Sequence, residues 1–149
     1  MSSEMDELQK LVMADIRKIY SDTVIDHAMN PRNLGDIQDA DGFARVTGPC
    51  GDTMEIWLKV KNDTVGQATF LTDGCGPSIA SGSMVTEMAK GKSITEAQKI
   101  TQHDVLDAFG GLPEESEHCA LLAANTLKAA IRDYMAMKRE PWKKAYRKY

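Results

Sequence analysis

Residues 53–61 alternate without a break. Met54, Ile56, Leu58 and Val60 are set against Thr53, Glu55, Trp57, Lys59 and Lys61. Period two over this length describes an antiparallel strand with one apolar face. Asn62-Asp63 follows, a pair that suits a two-residue hairpin turn, and residues 65–72 supply the returning strand. Such a loop sets Lys61 opposite Thr64, so facing residues carry numbers that add to 125. Cys50 and Cys75 are such a pair. The hairpin therefore brings two thiols together at its open end, to within about a residue of register.

Around this hairpin the chain reads as helix. Met5, Leu8, Val12, Ile16 and Ile19 lie at helical spacing in one predicted helix over residues 5–29, stopped by Asn30-Pro31. A short strand is expected over residues 43–46. Beyond Cys75, Pro77 suits the first position of a helix that ends at Gly91. Ser93 and Glu96 form a capping-box pattern for a short helix through Ile100, and another short helix over residues 103–109 stops at Gly110-Gly111. A long last helix from about Ser116 carries Cys119, Leu122, Ala123, Leu127, Ala130, Ile131 and Tyr134 along one face. Helix, strand meander and helices in that order predict an α+β fold, a small antiparallel three-stranded sheet with helices packed on one face. The expected organisation is an N-terminal helical extension over residues 1–17, a main domain over 18–137 and a basic tail over 138–149.

A formal charge of −4 argues against a general nucleic-acid binder. Lys138, Arg139, Lys143, Lys144, Arg147 and Lys148, with Trp142, Tyr146 and Tyr149 interleaved, concentrate positive charge at the C-terminus and read as a solvated end. No apolar run has the length of a membrane span, so no membrane partner is expected. The acidic N-terminus lacks the features of a secretion or mitochondrial signal, and the cysteine count is odd. Reduced thiols in a cytoplasm are the expectation.

Each thiol sits where chemistry is favoured. Cys75 precedes a helix start and Cys119 falls in the first turn of another, where free backbone N–H groups and the helix dipole stabilise a thiolate. Gly51, Gly74 and Gly76 clear space beside two of the sulfurs. Asp52, two residues from Cys50, shares its side of the chain, whereas His118, next to Cys119, is expected to point elsewhere on the helix. One at a time these residues have ordinary explanations: a lone cysteine is a small buried hydrophobe, Asp52 a turn residue, His118 a surface residue. His27 and His103 have no spacing to a partner. Together, three thiols at element ends with one carboxylate or imidazole suit zinc or an iron–sulfur cluster. The C-x-x-C pairs of common structural zinc sites are absent, so spacing leaves the metal open. A harder fourth ligand binds less firmly, which suits a cluster meant to leave.

The order of motifs goes further. Tyr20-Ser21-Asp22-Thr23-Val24-Ile25-Asp26-His27, Asn30-Pro31-Arg32-Asn33, Ala40-Asp41-Gly42, Cys50-Gly51-Asp52, Gly74-Cys75-Gly76-Pro77-Ser78-Ile79-Ala80-Ser81, Gly91-Lys92-Ser93, His118-Cys119 and Lys128-Ala129-Ala130-Ile131 follow one another over most of the chain. In this the chain resembles the IscU/NifU-N family of iron–sulfur cluster assembly scaffolds. The resemblance implies a non-catalytic scaffold that builds a [2Fe–2S] cluster from iron and sulfur and passes it to apo-proteins. It implies Cys50, Cys75 and Cys119 as cluster ligands, Asp52 or His118 as the fourth, and Cys119 as persulfide acceptor, with Cys50 second. The implied partners are a pyridoxal-phosphate cysteine desulfurase and apo iron–sulfur acceptor proteins, with a homodimer left open. The alternative is a zinc-containing sulfurtransferase of the SufU type, or a zinc-stabilised interaction domain. Only 43 residues lie between Cys75 and Cys119, without room for the insertion that marks the SufU branch. Leu112-Pro113-Glu114-Glu115-Ser116 stands where many members carry Leu-Pro-Pro-Val-Lys, the docking segment for a specialised Hsp70 chaperone, and its two acids speak against that partner.

Overall fold

A computed structural model describes residues 2–146. The elements in order are α1 (Ser2–Ile19), α2 (Asp22–Met29), β1 (Gly42–Thr47), β2 (Thr53–Lys61), β3 (Thr64–Thr72), α3 (Gly76–Ala89), α4 (Ile94–Ala97), α5 (Gln102–Phe109) and α6 (Glu117–Arg139). A 3-10 turn at Glu114–Ser116 leads into α6, and another at Pro141–Tyr146 follows it. The strands form one antiparallel sheet in the order β1-β2-β3, with helices on one face, as the patterning predicts.

The hairpin turn has both central residues in the left-handed region, Asn62 at φ 54° and Asp63 at φ 55°. Primed turns need that geometry because it matches strand twist. Lys61 faces Thr64 and Val60 faces Val65, but the next pair is Lys59 with Gln67. One residue on β3 is unpaired at this bulge, and from there down facing numbers shift by one. The apolar face of β2 is as expected: Met54, Ile56 and Leu58 are fully buried, with Phe70 and Ala68 of β3 beside them and Val85, Leu127 and Ile131 of the covering helices. Trp57 is buried on the opposite face, its ring 5.1 Å from that of Phe43.

Two close approaches set the helices on the sheet. A Cβ on Gly42 would lie 2.6 Å from the Ala130 carbonyl oxygen, and one on Gly82 would lie 2.4 Å from the Phe70 ring. At the far end of α6, the Tyr134 hydroxyl donates to Asp63 at 2.6 Å and Lys138 pairs with the same carboxylate at 2.8 Å, tying the hairpin turn to the helix. Burial and the Asp63 charge push Tyr134 up to about 12.

The predicted helix over residues 5–29 is two helices. Ser21 adopts an extended conformation, accepts the Val24 N–H in its side chain and donates its hydroxyl to the Phe109 carbonyl at 2.6 Å. That cap starts α2 and pins it to α5. Met13 and Ile16 of α1, with Tyr20 just beyond it, line an apolar cavity of about 180 Å³ beside Gly76 and Pro77. Met5, Leu8, Leu11, Val12 and Ile19 are each exposed by half or more. Smaller differences concern helix ends. Gly76, not Pro77, opens α3, and the Ser93–Glu96 capping box starts a helix that ends at Ala97 rather than Ile100. α6 continues through Lys138 and Arg139, so the basic segment begins inside it; Arg147, Lys148 and Tyr149 lie outside the described residues.

Candidate metal centre

Three element ends converge at one edge of the sheet. The loop of residues 48–52 joins β1 to β2, held by Gly48 N–H donating to the Asp52 carbonyl and Gly51 N–H to the Gly48 carbonyl. Gly51 takes φ 93° at its tip, which a side chain would strain. This loop presents Cys50 exposed and Asp52 half-buried. The β3–α3 junction presents Cys75, the exposed N-cap residue of α3. The start of α6 presents His118, half-buried, and Cys119, which is 2% exposed.

Cys50, Asp52 and His118 each offer a ligand atom, and these atoms lie within 4.8 Å of one another. His118 is the departure from expectation. Its Nε2 is 3.6 Å from Cys119 Sγ, although the residues are adjacent on a helix. Side chains tilt toward a helix N-terminus, and in the first turn no earlier turn blocks them, so both reach over the helix end.

Cys119 connects to the carboxylate through a serine. Ser78 in the first turn of α3 is fully buried, with its Oγ 3.1 Å from Asp52 Oδ2 and 3.3 Å from Cys119 Sγ. Gly74 makes room for this contact: a Cβ there would stand 2.5 Å from Ser78 Oγ and 2.9 Å from Asp52 Oδ2. Burial pushes the Cys119 thiol up from its ordinary value. The Ser78 hydrogen bond opposes that, and the charges of Cys75, Asp52 and Cys50 add to it. A helix start favours the Cys119 thiolate; burial outweighs the helix here. Cys75 stands outside the group within 4.8 Å. The bulge moves the register by one residue, so the ladder continued past Met54 and Thr72 sets residue 50 level with residue 76, one from Cys75.

The donor set is thiolate, imidazole and carboxylate. A four-coordinate metal with bonds of about 2.0–2.3 Å needs ligand atoms about 3.5 Å apart, so the group has to contract, and the exposed Cys50 loop with its glycine can supply that movement. These residues can coordinate a metal ion of the iron or zinc type. His27 lies elsewhere, its Nδ1 2.7 Å from Ser83 Oγ, and His103 pairs with Asp107 on the surface. The sequence reading missed Ser78 and the reason for Gly74. Their signal was position: Ser78 lies one turn beyond Cys75, in the same helix start.

Comparison with known proteins agrees with this geometry. The profile of the NifU-like N terminal domain matches residues 19–141. The iron-sulfur cluster assembly scaffold protein IscU 1 of Archaeoglobus fulgidus is 54% identical over 117 residues, covering 78% of this chain and 76% of that protein. The IscU scaffold protein of Escherichia coli K12 is 46% identical over 126 residues, covering 81% and 97%. The crystal structure of the N-terminal part of a NifU-like protein from Brucella abortus shares the fold at a TM-score of 0.63 and 20% identity, over 81% of this chain and 97% of that one. On these matches, this chain belongs to the IscU/NifU-N family of scaffold proteins.

Proposed function

We propose that this chain is a scaffold on which a [2Fe–2S] cluster is assembled from iron and desulfurase-derived sulfur and then passed to apo-proteins. The observation that carries it is the convergence of Cys50, Asp52 and His118 within 4.8 Å, with Cys119 held against Asp52 through Ser78. Cys50, Cys75 and Cys119 are the thiolate ligands, and Asp52 or His118 is the exchangeable fourth. The cluster is cargo, and the protein is recovered unchanged. A cysteine desulfurase supplies sulfur as persulfide: the Cys119 thiolate attacks its terminal sulfur, the S–S bond breaks, and the desulfurase thiolate leaves. An electron pair from an external reductant then converts each transferred sulfur to sulfide. Because Cys119 is buried, its sulfur has to become exposed for this step, and exposed Cys50 is the second acceptor. A zinc-held sulfurtransferase would use the same donors but would carry no coloured cluster.

Glu114 and Glu115 are exposed on the turn before α6, where they disfavour a chaperone groove built for an apolar and basic segment. Self-association is assigned to α1. Its first turns hold Glu4, Asp6 and Glu7 and its last turn Arg17 and Lys18, so an antiparallel pair of α1 helices sets opposite charges together around the exposed apolar stripe. The cytoplasm, with its reduced thiols, is the proposed setting. The test of sulfur entry is mass spectrometry of the protein after reaction with a desulfurase and cysteine, before iron is added. Extra sulfur on Cys119 is expected; extra sulfur on Cys75 alone overturns the acceptor assignment.

A further inference from the structure

Among the described residues, Ser78 hydrogen-bonds to two separate arms of the site. Its hydroxyl lies 3.1 Å from Asp52 Oδ2, on the β1–β2 loop, and 3.3 Å from Cys119 Sγ, on α6. A serine in the first turn of a helix ordinarily turns back to its own backbone. This one reaches sideways from α3 and is fully buried. Gly74 leaves just the space this hydroxyl fills, since even a Cβ there would meet it at 2.5 Å. The hydroxyl is thus confined between a carboxylate and a sulfur, and it has one hydrogen to give.

We propose that Ser78 is a positioning residue that holds the Asp52 carboxylate and the Cys119 sulfur in place for metal binding. This rests on the scaffold reading of Cys119 as a ligand. The Ser78 hydroxyl lies within donor distance of both Asp52 Oδ2 and Cys119 Sγ, so one buried side chain sets the spacing between the carboxylate and the most buried sulfur. A hydroxyl aimed at a ligating sulfur fixes its orientation and lowers the energy of its lone pairs. Ser78 thus links the harder ligand to the most buried one.

Cobalt(II) is the probe, because thiolate-to-cobalt charge-transfer bands report on the sulfur without any cluster chemistry. A hydrogen bond to the sulfur lowers its lone-pair energy and moves the band to higher energy. Apo protein would be titrated anaerobically with cobalt(II) in four forms: unmodified, Ser78→Ala, Ser78→Thr and Cys119→Ser. Ser78→Ala is expected to weaken cobalt affinity by about 10–100-fold, the range for loss of a residue that orients a metal ligand. It should also shift the charge-transfer band to lower energy. Ser78→Thr keeps the hydroxyl and should restore the band position; it guards against reading a folding defect in the alanine variant as loss of the hydrogen bond. A purely packing role for Ser78 would change the melting temperature and leave the band in place. If Cys119→Ser removes charge-transfer intensity but Ser78→Ala leaves both band and affinity unchanged, the proposal is overturned and the ligand assignment stands. If Cys119→Ser leaves the bands intact, Cys119 is not a ligand, and the proposal is overturned with it.

Discussion

Gly74→Ala tests the built geometry of the site with the smallest available change. Gly74 has no positive φ, so the position demands space and not unusual backbone. The added methyl would stand 2.5 Å from Ser78 Oγ, 2.6 Å from Ser78 Cβ and 2.9 Å from Asp52 Oδ2. The first two belong to a short, fully buried side chain that cannot swing clear without giving up both hydrogen bonds. Overpacking of this kind costs about 1–3 kcal/mol. Loss of the bonds adds about 1 kcal/mol net, because water at the half-buried carboxylate replaces part of what Ser78 supplied. The sum, about 2–4 kcal/mol, corresponds to a melting temperature lower by about 4–16 °C for a chain of this size. Gly51→Ala is the comparison. It carries a φ of 93° with open space around it, so only backbone strain of about 1–2 kcal/mol is expected there. Calorimetric melting of apo protein measures both, and zinc titration with a chromogenic chelator measures the site. Gly74→Ala should melt below Gly51→Ala and bind zinc more weakly than the unmodified chain. A Gly74→Ala protein that melts within about 2 °C of the unmodified one and binds zinc equally would show that Asp52, Ser78 and Gly74 are not packed as described.

Other outcomes follow from the same structure. His27 is held below its ordinary value of 6.5 by burial and then by the Arg32 charge, and its Nδ1 faces a Ser83 hydroxyl that already accepts the Arg32 N–H. A group that stays neutral when folded but takes a proton when unfolded loses stability as pH falls below its unfolded value. Resistance to urea should therefore fall from pH 7 to below 6.5, and His27→Asn, which keeps an acceptor at that place, should flatten the dependence; an unchanged slope refutes it. Asp52→Ala should hold its cluster longer and transfer it more slowly to an apo-ferredoxin, because a carboxylate exchanges more readily than a thiolate. Transfer at the unmodified rate, with His118→Ala alone altering it, assigns the exchangeable position to His118 instead. For self-association, Glu4→Lys and Lys18→Glu should each weaken an α1-paired dimer several-fold in sedimentation, and the double reversal should restore it. A chain that stays monomeric at high concentration removes the dimer.

Much of this was legible in the sequence, and the exceptions have identifiable causes. β2 declared itself because one face is buried and the other half-solvated, and Asn62-Asp63 declared the turn because few pairs accept two positive φ values. That pairing set Cys50 and Cys75 at the open end of the hairpin, where the group within 4.8 Å is Cys50, Asp52 and His118. The register was not legible in detail, since the bulge below Val60 displaces it by one residue. The break at Ser21 was hidden because apolar spacing runs smoothly through it; it depends on a hydroxyl reaching Phe109, distant in sequence. The Cys119 position in a helix start was readable, but its burial depends on how α6 packs against α3. Ser78 and His118 needed three dimensions, because their partners come from other elements or from a side chain folding over a helix end.

Anaerobic reconstitution with iron, cysteine and a desulfurase, followed by absorbance and by counting iron and sulfide, tests the scaffold claim most directly. The unmodified chain should turn brown, with charge-transfer bands and equal amounts of iron and sulfide. Each of Cys50→Ser, Cys75→Ser and Cys119→Ser should fail to hold that cluster, because each leaves two thiolates. A colourless protein that retains zinc and takes up no sulfide, or full and stable occupancy in any single variant, would contradict the account.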